Sequence, residues 1–415
     1  MRTVRERRRM ERRQGPHVTV AGRGRSAVHR ALLITLGCAL LLTACGPLGV
    51  APAGKTPTAP PVTSSSATTG RLPDLTYLHL PSGFRATEYA SGLRGARFIT
   101  FGPSGALFVA ERNTGRILAL LDPGRQGRAT QTVVVASGLN DPTSVVYADG
   151  ALYVGEQTRV TRLTLGPDLR ATAERTLISD LPSGGRHVTR TVLLGPDGAL
   201  YVSIGSSCDA CIESDPHRAA VWRYNRDGSG GRLYAHGLRN AVGMAVNPVK
   251  RQVWVTNNGR DNLGDNVPPD SVYALRDGGN YGWPRCHAGV IVDPDLGSAD
   301  SCMGIVQPAA NLQAHSAPLG LAFAAQSQFP PAYRGLYVAY HGSWNRSAPT
   351  GYKVVFIPLD SAGNVAGPPR DFATGWRRAN GDVLGRPVGL AVGPDGALYV
   401  SDDTEGAIVR IAYAG

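Results

Sequence analysis

One pattern recurs six times between residues 98 and 403: a short apolar run, a turn with glycine, and a second apolar run. The string GPDGALYV stands at 195–202 and again at 393–400, and close variants of it occur elsewhere. Each copy is typical of two short strands joined by a tight turn, because such hairpins favour Asp-Gly pairs. The six copies lie at 98–112, 144–157, 191–205, 243–258, 320–342 and 389–403.

The repeat predicts an all-β fold, a six-bladed β-propeller that occupies residues 73–415. Further β-rich runs follow several copies, for example at 115–121 and 219–224, so each unit has several strands, as propeller blades do. A β-sandwich or a solenoid would explain the spacing less well. With 52 glycines and 42% hydrophobic residues, the chain has enough turns and enough apolar mass for such a core.

The predicted fold also orders the polar residues. If the Asp-Gly turns lie on one face, the segments before the inner strands and the loops after the second strands share the other face, where ligand sites gather. Polar residues stand in register before the inner strands of the first four blades, namely Arg94, Asn140, His187 and Arg239. In the last two blades the register falls on Ser316 and Gly385, with His315 and Arg386 beside them. Several arginines at one channel mouth indicate an anionic ligand, since guanidinium groups pair well with carboxylates.

The first 44 residues have the parts of a bacterial export signal. A basic region runs through Arg30, and the apolar run at 31–44 is too short to span a membrane comfortably. The residues LTAC at 42–45 resemble a lipobox, so we predict a lipoprotein signal peptide over 1–44 and lipidation of Cys45. An ordinary secretory signal is the alternative. We therefore expect an exported protein with a lipid anchor in the membrane, on the periplasmic or extracellular face.

The charge distribution argues against a nucleic-acid partner. Residues 1–44 carry a net charge of +8, which leaves only +4 of the total of +12 for the rest of the chain. The basic excess therefore belongs mostly to the leader and not to a binding face. Residues 45–72 are rich in Pro, Ser and Thr and predict a flexible tether, because they lack the apolar residues that a core needs.

Four cysteines remain after the leader and Cys45, and an even number in an exported protein indicates two disulfides. Proximity favours the pairs Cys208–Cys211 and Cys286–Cys302, although the connectivity is not strictly readable from the sequence. The CDAC motif could instead be redox-active or bind a metal. A structural disulfide is favoured, because no second pair of cysteines stands at zinc-site spacing.

Several motifs together carry a resemblance to a known family. They are GGRHVTRTVLLGPDG at 184–198, HGLRNAVGMAV at 236–246, DGGNYGWP at 277–284 and HGSWNRS at 341–347. The set resembles the pyrroloquinoline-quinone-dependent sugar dehydrogenases, over about residues 75–413, and GSSCDAC at 205–211 resembles the L-sorbosone dehydrogenase-like branch. The resemblance implies oxidation of a sugar or sugar aldehyde, with pyrroloquinoline quinone and Ca²⁺ as cofactors and an external electron acceptor.

The resemblance also implies roles for individual residues. His187 matches the general base that takes the proton of the sugar hydroxyl, a task that suits a neutral imidazole. Arg239 matches the catalytic arginine that bonds the quinone oxygens and stabilises negative charge as the cofactor is reduced. Asn240 and Asn258 fall where polar side chains contact the cofactor.

Five further residues receive roles from the same resemblance. Gly259 and Arg260 fall where backbone carbonyls hold Ca²⁺, a hard cation that prefers oxygen ligands. Arg346 and Arg386 are the expected partners of the cofactor carboxylates. Asn140 lies near the position of an amide on the sugar side of the site.

The chain departs from the family pattern at three places. Ser206 stands where the soluble glucose dehydrogenases have a carboxylate that orients the histidine, so Asp209 or another group would have to orient His187. A small residue near Ala325 replaces a cofactor lysine, and Arg260 replaces a proline. These departures weaken the case for glucose as the substrate and for tight cofactor binding.

Two other functions compete with a quinone-dependent dehydrogenase. Six-bladed propellers also include calcium-dependent lactonases, but those sites need carboxylate and amide side chains on the channel axis, where this chain has arginine and histidine. A non-catalytic, lipid-anchored propeller that binds a ligand is the third possibility. Convergence of His187, Arg239 and the Gly259 carbonyl on one cavity is the feature that separates the first hypothesis from the others.

Overall fold

The computed structural model describes residues 75–325 and 327–415 of the chain. The predicted signal peptide at 1–44, the lipidation site Cys45 and the tether at 45–72 lie outside the described residues. Within the described ranges, no helix is both long enough and apolar enough to cross a membrane.

Six antiparallel sheets form the six blades of a β-propeller, which confirms the predicted fold. Blades one and two consist of β2 (Ala96–Phe101), β3 (Leu107–Glu111), β4 (Arg116–Leu121), β5 (Gln131–Ala136), β6 (Ser144–Ala148), β7 (Ala151–Gly155), β8 (Val160–Leu165) and β9 (Ala171–Ile178). Blades three and four contain β10 (Arg190–Leu194), β11 (Leu200–Ile204), β12 (Ala220–Tyr224), β13 (Arg232–His236), β14 (Ala241–Asn247), β15 (Gln252–Asn257), β16 (Asp270–Ala274) and β20 (Ala310–Leu312).

The last two blades complete the ring. They consist of β21 (Pro318–Phe323), β22 (Gly335–Tyr340), β23 (Lys353–Pro358), β24 (Arg370–Ala373), β25 (Pro387–Val392), β26 (Leu398–Asp402), β27 (Ala407–Tyr413) and β1 (Phe84–Ala90). Strand β1 pairs antiparallel with β27, so blade six combines the first and last strands of the described chain. The inner strands β2, β6, β10, β14, β21 and β25 contact one another in a closed circle around the channel.

An excursion within blade four, between its third strand β16 and its last strand β20, departs from the simple repeat. Strand β17 (Gly279–Asn280) joins blade three in parallel with β13, and β18 (Cys286–His287) pairs with β19 (Ile291–Val292). The two disulfides are Cys208–Cys211 and Cys286–Cys302, as proximity in the sequence favoured. Short 3-10 turns at Pro103–Gly105, Arg112–Thr114 and Pro331–Tyr333 are the helical segments of the described residues.

Apolar side chains fill the space between neighbouring blades. In five of the six blades the second strand is buried along its whole length, because both of its faces meet another blade. In β15 only the first residue, Gln252, is partly exposed. One cluster joins blades five and six around Phe84, whose ring contacts Phe329 and Phe372 edge-on. Burial of this kind contributes roughly 25 cal/mol per Å² of apolar surface and fixes the blades relative to one another.

The loops between second and third strands differ sharply in length from blade to blade. In blades one, two and six they have four residues each, at 112–115, 156–159 and 403–406. In blades three, four and five they have fifteen, twelve and twelve residues, at 205–219, 258–269 and 341–352. Half of the ring therefore carries long loops on the face where the sequence predicts a site.

Candidate functional site

A cavity of about 240 Å³ lies among the long loops of blades three to five. Its lining is strongly polar, with two arginines, two histidines, two aspartates and three asparagines. The lining residues are Arg186, His187, Arg239, Asn240, Asn258, Gly259, Asp261, Asp270, His315, Ala317, Trp344 and Asn345. The structure thus brings together His187, Arg239, Asn240, Asn258 and Gly259, all of which the sequence had singled out.

The imidazole of His187 is oriented by Ser206. Its Nδ1 lies 3.1 Å from the Ser206 carbonyl oxygen and 2.9 Å from Ser206 Oγ. Because a carbonyl oxygen only accepts, Nδ1 carries the hydrogen, and the lone pair of Nε2 is left for another proton. Ser206 Oγ in turn donates to the Cys208 carbonyl at 2.6 Å. A serine and its own backbone carbonyl therefore do the orienting that the sequence analysis expected of a carboxylate.

Burial and charge keep this imidazole neutral. Burial is the largest cause, followed by the nearby Arg239 guanidinium, and together they lower the pKa of His187 from 6.5 to about 3. Arg186 acts in the same direction, while the hydrogen bond to Ser206 opposes it. At neutral pH the ring is consequently an acceptor at Nε2.

Other blades show what the missing carboxylate does elsewhere in the ring. In blades one, two and six a buried carboxylate at the end of the second strand accepts the backbone N–H of the polar residue before the inner strand. The pairs are Arg94–Glu111, Asn140–Glu156 and Arg386–Asp402. Those acids cap backbone donors, whereas in blade three the aligned residue is Ile204, which offers no acceptor side chain.

Glycine at position 205 allows the ring to sit so close to the second strand. A Cβ atom there would lie 2.5 Å from the Cβ of His187 and 2.7 Å from Asn240 Oδ1. Both distances are shorter than van der Waals contact permits. Gly205 is therefore required for the observed placement of His187.

Arg239 is buried between two carboxylates. Its Nε donates to the Asp209 carbonyl at 3.0 Å, and one terminal nitrogen, Nη2, donates to both Asp209 Oδ1 and Asp261 Oδ2, each at 2.7 Å. The side chain is only 3% exposed. Burial raises the pKa of Asp261, and the guanidinium of Arg239 partly offsets that effect. Such charge-assisted bonds hold the guanidinium rigidly at the wall of the cavity.

Arg186 and Trp344 form the outer rim. The Arg186 guanidinium lies 5.7 Å from the centre of the Trp344 ring and 3.7 Å from Asp261 Oδ2. Trp344 is 64% exposed, an unusual position for a large aromatic ring. A cation and a flat aromatic surface together at a cavity mouth suit a planar anionic ligand.

The cavity floor offers oxygen atoms to a cation. Asp270 is 1% exposed, accepts the Gly259 N–H at 2.8 Å, and has a pKa that burial raises to about 7. Asn240 Oδ1 and Asn345 Oδ1 are buried and have no hydrogen-bond partner among the described residues. Buried acceptors without a partner are rare in folded proteins, so they mark a place for a bound group.

Four predicted site residues do not line the cavity. Arg346 and Arg386 instead donate to backbone carbonyls of neighbouring loops, at Ala314 and at His341 and Gly342 respectively. The guanidinium of Arg260 binds Asp293 and Asp295. The side-chain amide of Asn140 donates to Thr158 Oγ1 at 3.2 Å. Their cofactor, metal and substrate roles stay predictions, and for Arg260 only the backbone carbonyl was implicated.

Several lining residues were not predicted as site residues. Arg186 and Trp344 stood beside predicted residues, but nothing in a single sequence shows that they reach the same space. Asp270 is the first residue of the buried strand β16, DSVYA. A carboxylate in an apolar strand is unusual, and this could have marked Asp270 as a candidate. Asp261 directly follows the Gly259–Arg260 pair, and only its neighbours carry predicted roles.

Two larger surface clefts, of about 540 and 450 Å³, lie elsewhere on the ring. Their linings include Pro196 and Ser104, which belong to the turns between inner and second strands, away from the long loops. Neither lining contains a histidine. The smaller cavity with His187 is therefore the better candidate for chemistry.

Comparison with known proteins agrees with this geometry. Residues 78–296 and 290–414 match the family model described as TrAA12-like. A pyrroloquinoline quinone-dependent sugar dehydrogenase of Hypocrea jecorina is 26% identical, over 83% of this chain and 92% of its own length. A pyrroloquinoline quinone-dependent pyranose dehydrogenase of Coprinopsis cinerea is 27% identical over 80% of this chain. The aligned region covers only 54% of the length of that protein.

Solved structures give the same fold. The holo form of the pyrroloquinoline quinone domain of the Coprinopsis cinerea pyranose dehydrogenase aligns with a TM-score of 0.72 and 26% identity, and covers 82% of this chain and 98% of that domain. A calcium structure of a Trichoderma reesei carbohydrate-active enzyme of family AA12 aligns with a TM-score of 0.71 at 22% identity, and covers 84% of this chain and all of that one. The chain belongs to the TrAA12-like family, within the pyrroloquinoline-quinone-dependent sugar dehydrogenases.

Proposed function

We propose that the chain is a sugar dehydrogenase that depends on pyrroloquinoline quinone and Ca²⁺ and oxidises a pyranose or a sugar aldehyde. The observation that carries the proposal is one cavity in which His187, with a free Nε2, stands beside the buried guanidinium of Arg239. The relatives named above supply the cofactor class. When it is bound, the quinone supplies a two-electron acceptor for the hydride of the substrate.

The role proposed for His187 is general base. As hydride leaves the carbon that is oxidised, Nε2 takes the proton of the hydroxyl on the same carbon, so that the carbon–oxygen bond becomes a carbonyl. The hydrogen bond from Nδ1 to Ser206 holds the ring in the required tautomer, and it can stabilise the positive charge that the ring acquires.

The cationic residues would bind and orient the cofactor. Arg239 would offer a fixed positive charge at the cavity wall to stabilise the reduced cofactor, while Arg186 and Trp344 would cover a planar, carboxylate-bearing ring at the rim. The Gly259 and Arg260 carbonyls would hold Ca²⁺, with Asp270 and the unpartnered Asn240 Oδ1 as further oxygen donors nearby. The residues present therefore fit both groups.

A reconstitution experiment tests the proposal. Purified protein would receive Ca²⁺ and pyrroloquinoline quinone, and reduction of a dye would be followed with a panel of aldopyranoses and sugar aldehydes. Activity that requires the quinone, the metal and the sugar supports the proposal. Absence of dye reduction with every substrate, together with no cofactor absorbance after desalting, would contradict it and leave a ligand-binding propeller.

The lowered pKa of His187 predicts an unusual pH profile. The base is active when neutral, and its pKa of about 3 lies below the ordinary value of 6.5. The pH at which kcat/KM begins to fall on acidification should therefore lie well below 6.5. As the pH drops through 6.5, kcat/KM should stay nearly level. Steady-state rates in buffers of constant ionic strength check this, and an acid limb centred at the ordinary histidine value would refute it.

Substitution of Gly205 predicts a loss of activity without unfolding. In Gly205→Ala the new Cβ must displace His187, since it would lie 2.5 Å from the histidine Cβ. We expect kcat to fall by about 10²-fold, the loss that a shift of roughly 1 Å in a catalytic group can cause.

The matched control is Gly124→Ala, at a position where the nearest atoms to a new Cβ belong to the Gln126 side chain at 3.4 Å or more. That variant should keep wild-type kcat and KM. Equal activity of the two variants would show that His187 does not depend on the space at Gly205.

For the cellular location, we propose export with a lipid on Cys45. Two disulfides in the propeller fit an oxidising compartment. Mass spectrometry of the N-terminal peptide from the native membrane fraction would detect the diacylglyceryl group, and a Cys45→Ser variant found in the soluble exported fraction would support the anchor.

A further inference from the structure

We propose that the loop at 205–213, closed by the Cys208–Cys211 disulfide and called here the CxxC loop, positions both His187 and Arg239. Within it, Asp209 is a positioning residue for the guanidinium. The inference deepens the proposed function, because its kinetic readout is the reaction of the same site.

The CxxC loop belongs to the longest connection between a second and a third strand. Residues 205–219 have no regular secondary structure, while the same connection in blades one, two and six has four residues. Irregular loops of this length are uncommon inside compact domains unless they have a function. The loop nevertheless lies half-buried against the segment before β10, where a Cβ on Gly185 would come within 2.7 Å of Ser207 Cα.

On one side the loop holds His187. The carbonyl and hydroxyl oxygens of Ser206 contact Nδ1, and Ser206 Oγ donates to the Cys208 carbonyl. The Arg186 N–H also donates to the Ser207 carbonyl at 2.8 Å. The orientation of the imidazole is thus set by a chain of bonds that ends on a disulfide-bonded residue.

On the other side the loop holds Arg239. The Asp209 carbonyl accepts from Arg239 Nε and from the Trp283 indole N–H, each at 3.0 Å. Its carboxylate Oδ1 accepts from Arg239 at 2.7 Å and from the Asp261 N–H at 2.9 Å. One residue therefore satisfies four donors, two of which belong to the guanidinium at the cavity wall.

The disulfide closes a ring of four residues around this aspartate. Asp209 and Ala210 are the two residues between the cysteines, so the covalent link restricts their backbone angles directly. Without the link, a loop with no ladder of backbone hydrogen bonds would have to order itself, at the expense of chain entropy. Catalytic groups need placement to about 0.5 Å, which explains why the loop is clamped at this point.

The test uses the full exported chain and two variants. Cys208→Ser/Cys211→Ser removes the link, and Asp209→Asn keeps the link but neutralises the carboxylate. Asp215→Asn is the control, because Asp215 lies on the same connection outside the disulfide ring and pairs with His217. The first readout, on cofactor-free protein, is the ¹H–¹⁵N signals of the Trp283 indole and of Arg239 Nε–H. The second is the division of any loss between kcat and KM in reconstituted enzyme.

We expect the double variant to shift or broaden both signals, to lose Arg239 Nε–H to exchange with water, and to lower kcat about 10²-fold. Asp209→Asn should shift the same signals and lower kcat about tenfold, whereas the control should change neither readout. The proposal would be overturned if the signals did not change, or if they moved while kcat stayed the same. It would also be overturned if the variants lost stability but kept normal activity per folded molecule. Since the signals are read without cofactor, they also decide the matter if the wild-type protein oxidises no sugar.

Discussion

Replacement of His187 by alanine is expected to lower kcat by about 10²–10⁴-fold, the usual contribution of a positioned general base. KM should change little, because the residue acts on the proton and contributes little to binding. Thermal unfolding should move only slightly, since the ring is partly exposed and its hydrogen bonds are to Ser206 alone. Steady-state kinetics and a thermal melt of the same preparation measure both quantities.

The control for this substitution is His79→Gln, on an exposed residue before β1. It removes one imidazole from the chain without touching the cavity, and its kinetics should match the wild type. If His187→Ala retained wild-type kcat across the pH range, His187 would not be the base, and His315 would be the next imidazole of the cavity to examine.

Replacement of Arg239 by methionine should cause the largest combined loss of stability and activity. The variant leaves Asp209 and Asp261 close together without their shared cation, and both carboxylates are largely buried. Removing one partner from a buried ion pair costs about 3–5 kcal/mol of unfolding free energy. Affinity for the quinone should fall as well, because the fixed positive charge at the cavity wall is gone.

Denaturant unfolding and quinone titration by absorbance measure the two effects of Arg239→Met. The matched control is Arg378→Met, at an exposed arginine whose contact with Asp382 is 3.9 Å long. Exposed pairs of this kind contribute about 0–1 kcal/mol, so the control should unfold like the wild type. Similar unfolding free energies for the two variants would show that the carboxylates of Asp209 and Asp261 do not need Arg239.

The repeat made most of the fold predictable. A short motif of apolar runs and turns determines which residues face the channel. Aligning its copies then places His187 and Arg239 on the same face of the ring, and no knowledge of contacts between distant residues is needed. The prediction succeeded for those two residues because both stand directly before inner strands, where the backbone alone decides their position.

The rest of the site depended on the long loops, which have no repeat to read. Asp261 and Trp344 reach the cavity, and Asp209 reaches the guanidinium of Arg239, through loop conformations that hydrogen bonds and a disulfide select. A single sequence does not reveal those contacts. Arg386 illustrates the opposite case. It stands beside the register position Gly385, but its long side chain turns toward the carbonyls of His341 and Gly342, because the repeat fixes a Cα position and leaves the direction of a guanidinium open.

The unequal loop lengths around the ring have a consequence for the evolution of specificity. Blades one, two and six keep four-residue connections capped by buried acids, and changes there would disturb the frame. Blades three to five carry connections of twelve to fifteen residues that surround the cavity. Changes in these long connections can therefore alter what the cavity binds, while the other half of the ring preserves the scaffold. Loop grafting between relatives should spare 205–213 and 258–261, which hold His187, Arg239 and the proposed Ca²⁺ ligands, and be confined to 214–219, 262–269 and 341–352.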